Sequence, residues 1–427
     1  MNDVIVIRGG FAGVTAAREA SLRRHSVLLL EARDRLGGRT WRADWHGTPV
    51  EYGGAWVHWH QPHTFSEVTR AGVGVLLSDD PDVAGWYVGD ERRTGTISDR
   101  DEIANRGWER FVAGVDDALP NPHDPVLAID RLRRFDDMTI ADRMAELGLD
   151  EETHDVLWAE LESVAHAPLE DAGAVSVLRW HALSGYSLKL TQYTGGRVTL
   201  ATGTRGLIDA IASQARFETR LEAPVAAIRQ RDGGVEVETR SGDLIEASAA
   251  VVAVPLNTLH AIEFEPGLSE GKLAGIALGQ SSRGIKIFVH AAGDRTTQNA
   301  IRPRHPFGYL DTEWVEPDGS QIMIGFGVDA ERCDATDTPG VQRAMDDIIP
   351  GYRVVEATAH DWLADEFAQG TWAIHRPGWY GTHYEEMRRP EGRVLLAGSD
   401  LAAGWAGFID GAIESGLRAG AWVRGLA

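Results

Sequence analysis

The stretch "VIVIRGGFAGVTAAREA", Val4 to Ala20, constrains this chain more than any other. Its apolar start, "DVIVI", reads as a parallel strand covered by helices on both faces. A glycine-rich turn follows, and "FAGVTAAREASLRR" carries apolar and small residues at helical spacing. A second apolar run, "SVLLLEA", ends in Glu31, about 20 residues on, where an acid can accept both hydroxyls of an adenosine ribose. Strand, turn, helix, strand and acid come in the order of a dinucleotide-binding βαβ unit. The fingerprint places glycine at its first, third and sixth positions; here these are Arg8, Gly10 and Gly13. The first glycine lets the strand turn sharply, and the second lets the backbone approach a pyrophosphate. Arg8 therefore threatens the turn more than the contact, at a cost on the order of 1–3 kcal/mol if a glycine-only conformation is needed. An ordinary βαβ unit without a ligand is the competing reading of this stretch taken alone.

A chain of 427 residues exceeds one ordinary core, so two domains are expected. The formal net charge of −22 argues against attraction to nucleic acid or to an anionic membrane. No apolar run reaches the ~18 residues of a membrane span. Asp3 and the strand that follows at once leave no secretory signal. Cys333 is the single cysteine, which rules out a disulfide within the chain and a cysteine metal cluster. These features point to a cytoplasmic protein with no nucleic-acid or membrane partner.

The segments after the first unit strengthen the dinucleotide reading. "EARDRLGGRT" runs on from Glu31 through Arg33 and Arg39, with a glycine pair between them, as suits a loop crossing a pyrophosphate. "EYGGAWVHWHQPH" follows, where Gly53 and Gly54 allow the backbone close to a flat ring. Near the C-terminus, "RVLLAGSDLAAGWAGFIDGAIESGLRAG" gives a strand, a small-residue turn and a helix starting near Asp410. The free N–H groups of such a helix suit an electron-rich ring edge. Together these segments resemble the flavin-dependent monoamine and polyamine oxidases.

That resemblance implies FAD, held non-covalently because Thr371 stands where covalent members carry cysteine. It implies Gly10 and Gly13 at the dinucleotide turn, Glu31 on the ribose, and Arg33 and Arg39 near the pyrophosphate. Gly53, Gly54, Ala55 and Trp56 would pass the isoalloxazine, and Val225 would contact the adenine. Asp400 would bind the ribityl chain or pyrophosphate, with Ile409 and Asp410 near the ring. The expected fold is α/β: a Rossmann-like FAD-binding domain of discontinuous segments (1–75, 198–282 and 388–427) with an inserted mixed-sheet and helical substrate domain (76–197 and 283–387).

Lys286 lies in the strand-like run "RGIKIFVH", where it shares a face with Phe288 while Ile285 and Ile287 share the other. An edge lysine facing water is the plain reading; the resemblance implies a lysine that holds a water against the reactive flavin nitrogen. Trp372 and Phe408 are core aromatics on the plain reading and, by resemblance, a pair standing across the flavin face to admit an amine. His58, His60 and His63 crowd one loop, but no carboxylate cluster accompanies them, so no metal is assigned and His58 is read as cavity wall. Tyr186 and Tyr309 are candidate pocket walls. The implied activity is oxidation of a small primary, secondary or cyclic amine to an imine, with hydride passing to flavin N5 and oxygen reduced to hydrogen peroxide. A homodimer is one expectation. An L-amino acid oxidase is the alternative substrate reading, and a non-enzymatic relative that has lost FAD through Arg8 is the alternative to catalysis.

Overall fold

The computed structural model describes residues 2–193 and 196–426. Its centre is an eight-stranded sheet in which the strand Asn2–Ile7 lies parallel between Val27–Leu30 and Leu244–Val252. All four residues from Val4 to Ile7 are buried, which is why this run has no polar face. Strand Val394–Leu396 adds in parallel beside Ala250–Val252, so the chain's last segment returns to the sheet that its first segment began. The helix Phe11–Ser21 leaves the first strand and packs against the C-terminal helix Ile409–Arg424.

A seven-stranded sheet forms the second layer, in the order Arg353–Ala359, Ile285–Ala292, Gln321–Gly327, Tyr309–Val315, Gln298–Ile301, Val83–Val88, Glu91–Gly95. Ile285, Ile287 and Val289 point to one face of it and pack with Met323, Met345 and Ile348. The opposite face carries Lys286 and Phe288. The helices Ile97–Phe111, Glu151–Ala165 and Ala174–Leu183 stack around a large apolar cluster that includes Trp108, Phe111 and Leu157. Thr96 caps the first of these through a reciprocal bond with Asp99, and Asp150 caps the second.

The stretch from about residue 76 to residue 195 reads from its sequence as helical and rich in charge. The structure differs at its start, where Val83–Val88 and Glu91–Gly95 pair as a hairpin around Gly89 and Asp90. A two-residue turn with glycine at left-handed φ between two β-prone runs is the local reason.

Among the buried histidines, His166, His305 and His375 are each pushed down to about 4 by desolvation. An unfolded histidine titrates near 6.5, so the unfolded chain binds more protons in the window between. The stability held by these three is complete above about pH 6.5 and is lost as pH falls toward 4. Thermal melts at fixed ionic strength should show the midpoint dropping steeply over that window; a flat midpoint would mean the three sites are not desolvated.

Candidate active site

The site lies between the two sheets, and the strand–helix turn after Ile7 forms one end of it. Arg8 occupies that turn at φ +89°, a left-handed conformation that favours glycine. A Cβ on Gly13 would stand 1.8 Å from the Arg8 carbonyl oxygen, so the helix must cross the turn on a bare backbone. The loop 37–40 closes over the same turn: Gly37 N–H donates to the Gly9 carbonyl at 2.9 Å. Arg39 then reaches across the fold. Its Nη1 donates to the Thr371 carbonyl at 2.6 Å, its Nη2 donates to Ser399 Oγ at 2.8 Å, and it pairs with Asp400. Burial pushes the Asp400 carboxyl up, but Arg39, the Leu256 N–H and Ser399 together hold it below the usual range. The next segment runs against this loop so closely that a Cβ on Gly53 would lie 1.9 Å from the Arg39 carbonyl oxygen.

The second sheet builds the other wall. Its register sets Lys286 opposite Phe326, and Phe326 opposite Tyr309, which places the three on one face. The Lys286 Nζ donates to the Gly53 carbonyl at 3.1 Å and stands 4.6 Å from the centre of the Trp56 ring. Burial pushes this ammonium down to about 8, with Glu313 and Glu51 opposing. Two residues along from Tyr309, its hydroxyl finds Asp311 Oδ2 at 2.9 Å. Trp372 lies flat on His166, with ring centres 4.3 Å apart and planes 5° apart, and its Nε1 donates to the Val164 carbonyl at 3.0 Å. Phe408 meets Trp180 edge-on at 5.1 Å and His58 at 6.0 Å.

Between these walls runs a cavity of about 650 Å³, a volume in the range of cofactor and ligand pockets. Arg8, Gly10, Gly38 and Arg39 line one end, and Gly53, Gly54, Ala55, Trp56 and Lys286 line its middle. Tyr309, Asp311, Glu313, Phe326, Trp372, Phe408, Ile409 and His58 also line it.

Other residues singled out in the sequence stand outside the lining. Glu31 is buried, its two oxygens accepting from Gly9 N–H at 2.6 Å and Arg33 N–H at 2.9 Å. Arg33 pairs with Asp365 at 2.5 Å. Gly13 lies behind the turn, Val225 is buried at the start of the strand Val225–Arg231, and Asp400 acts through Arg39. Asp410 is fully buried and accepts from Thr64 N–H at 2.8 Å, so it orients the helix start while its neighbour Ile409 faces the cavity. Tyr186 is no pocket wall: it sits at φ +59° in a turn and donates its hydroxyl to the Leu119 carbonyl at 2.6 Å. Trp405 is core, fully buried against His60 and Phe408. Sequence reading missed Phe326, His166, Asp311 and Glu313. The alternation in "YLDTE" could have flagged the two carboxylates as sharing the Tyr309 face; nothing local marks Phe326 or His166.

The chain's first half, its middle and its end therefore converge on one cleft, and its whole length bears comparison with known proteins. The model of a family described as flavin containing amine oxidoreductase matches residues 11–423. The chain belongs to that family. It is 34% identical over 98% of its length to a pseudooxynicotine dehydrogenase of a Pseudomonas species, covering 85% of that protein. It is 28% identical to an (S)-6-hydroxynicotine oxidase of Paenarthrobacter nicotinovorans, covering 97% of each. Its fold is shared with a putrescine oxidase bound to putrescine, at a TM-score of 0.84, 20% identity and 99% coverage of both chains. This flavin containing amine oxidoreductase is thus an enzyme with FAD as cofactor, and the reading of a relative that has lost catalysis is not favoured.

The residues fit that cofactor. The Arg8 Nη2 is a buried donor without a hydrogen-bond partner in the cavity lining, as suits an anionic group at this end of the cleft. The helix Phe11–Ser21 opens there with no acidic residue in its first turn.

The buried Lys286 yields a stability test. Its unfolded counterpart titrates near 10.4, so burial of the ammonium disfavours folding below about pH 8, and the chain gains stability as pH rises from 8 to 10.4. Lys286→Met should raise the melting midpoint at pH 7, by up to about 3 kcal/mol of stability, and the advantage should shrink above pH 8. Equal midpoints at pH 7 would show that the lysine is solvated.

Proposed function

We propose that this enzyme oxidises a small amine that carries no carboxylate, at the aromatic and acidic part of the cleft. The observation that carries the reading is the charge of the lining. Among the described residues, its lysines and arginines are Arg8, Arg39 and Lys286, and two of these stand at the far end. Around the remaining one lie Asp311, Glu313 and the rings of Trp56, Tyr309, Phe326 and Trp372. A carboxylate on the substrate would meet like charge, whereas an ammonium is drawn in by both the carboxylates and the ring faces. This weighs against an L-amino acid. Apolar or heteroaromatic amines, primary, secondary or cyclic, are the proposed class.

FAD, when bound, supplies the hydride acceptor for oxidation of the carbon beside the nitrogen. The chain's residues do the rest. Trp372, fixed by the stacked His166 and by its bond to Val164, and Phe408, wedged against Trp180, flank the place where a neutral amine would be held. Lys286, anchored on the Gly53 carbonyl, is set to hold a water and a proton at its Nζ beside the ring-facing segment Gly53–Trp56. Thr371 offers no thiol for attachment, which supports a non-covalent cofactor, and its hydroxyl is engaged with His166 at 2.9 Å. Oxygen is the proposed acceptor, giving hydrogen peroxide; relatives include both a dehydrogenase and an oxidase by name. A cytoplasmic location is supported by the lone cysteine, and no helix among the described residues is long and apolar enough to cross a membrane.

The test is a panel of amines and amino acids mixed without oxygen with the purified yellow protein. Amines free of carboxylate should bleach the flavin band and amino acids should not; admission of air should restore colour with stoichiometric peroxide. Bleaching by amino acids alone would overturn the substrate class, and recolouring without peroxide would overturn oxygen as acceptor. For the best amine, Glu313→Gln should raise KM about 5- to 10-fold, the effect of ~1 kcal/mol of lost attraction, and leave kcat nearly unchanged. An unchanged KM would remove Glu313 from substrate attraction.

A further inference from the structure

Arg8 departs from the glycine turn that its neighbours build, and its side chain goes where the departure matters. It is 8% exposed, and it lines the cavity end rather than turning out to solvent. Its Nε lies 3.1 Å from the place a Cβ would take on Gly38 and 3.9 Å from the corresponding place on Gly10. The guanidinium is therefore set between the glycine loop and the start of the helix Phe11–Ser21. Arg33 and Arg39 each have a carboxylate partner, in Asp365 and Asp400. Among the described residues Arg8 makes no ion pair, and its Nη2 is buried without an acceptor.

We propose that Arg8 is a diphosphate-binding residue, its guanidinium donating to the dinucleotide's phosphate oxygens at a turn where other sequences rely on backbone N–H groups. The proposal rests on FAD as the cofactor. Three facts converge on it. A buried donor without an acceptor is costly, and a phosphate oxygen ends that cost. A guanidinium presents paired donors that match a phosphate, as an ammonium does not. A side chain that plugged the channel would need partners to hold it there, and among the described residues no hydrogen bond or ion pair holds the Arg8 side chain. Burial, with Arg39 and Arg33 as like charges, pushes its guanidinium down to about 9, which a dianion alongside would reverse. The same residue holds a left-handed backbone at φ +89° and so strains the empty chain. Strain in the free protein and grip on the ligand are thus opposite effects of one side chain.

The opposition gives the test its resolving power. Full-length protein and the variants R8G, R8Q and R8K would be equilibrated by dialysis against graded FAD, with bound flavin read by absorbance, and melted free of flavin with and without inorganic pyrophosphate. R8G should bind FAD about 10- to 100-fold more weakly, the range expected for lost charge-assisted bonds, while its flavin-free form melts higher because the turn is relaxed. R8Q should lose comparable affinity, and R8K should recover part of it. Pyrophosphate should raise the melting midpoint of the unaltered chain more than that of R8Q. FAD bound as tightly or more tightly by R8G and R8Q overturns the proposal and makes Arg8 an obstruction. Equal pyrophosphate shifts overturn it as well. If R8G fails to fold, R8Q and R8K decide alone. Failure of every form, R8G included, to take up FAD would instead strike the cofactor assignment itself.

Discussion

One ion pair, with a buried carboxylate and a partly buried guanidinium, holds the cleft together. Arg39 leaves the loop after the second strand, pairs with Asp400 before the last helix, and donates to the Thr371 carbonyl. Asp400 in turn accepts from the Leu256 N–H at 2.9 Å. Four segments far apart in the chain are thereby fixed around one point. Removing Arg39 would strand the buried Asp400 carboxylate, at a cost of up to about 3–5 kcal/mol. The cost of desolvating the pair is met by additional hydrogen bonds, from Ser399 Oγ and the Leu256 N–H to the carboxylate. Trp372 takes its position from this junction, since residue 371 is tied to Arg39 and residue 372 follows it directly.

The cleft has opposite charge at its two ends. Guanidinium groups and a helix N-terminus stand where the first sheet's turn opens, and carboxylates with aromatic faces stand on the second sheet. Lys286 sits between, its Nζ on the Gly53 carbonyl of one wall and its strand in the other. On the proposed reading, a dinucleotide with an anionic middle and an amine would be received from different walls. Burial sharpens both interactions, because the same charges in water would be heavily screened.

Most of the nucleotide-binding half was legible in advance, and for a physical reason. A parallel strand buried on both faces must be apolar throughout, and a helix crossing a turn at close range must begin with small residues, so the signal is local. The segment at Gly53 could be read for the same cause: backbone pressed against the Arg39 carbonyl tolerates no Cβ. Tyr186 was misplaced because an aromatic residue near a pocket sequence carries no mark of direction; its hydroxyl goes to Leu119 instead. Glu31 and Asp410, expected beside the ribose and the flavin ring, each accept from backbone N–H groups of the protein itself. Val83–Val88 and Glu91–Gly95 escaped notice because short strands among charged helices leave only a brief alternation.

By itself the sequence determined the α/β class, the strand–turn–helix that meets a dinucleotide, and the presence of a lysine and aromatics that could serve an amine. Those follow from the period of apolar residues and from glycine where backbones touch, which neighbours along the chain dictate. Tertiary structure alone decided which side chains face one another across the cleft. Phe326 meets Lys286, Glu313 faces the same cavity, and His166 stacks on Trp372 through strand register and helix packing between residues far apart in sequence. It also decided the direction of Arg8, whose side chain could have pointed to water but enters the cleft because the turn holds its backbone at a positive φ.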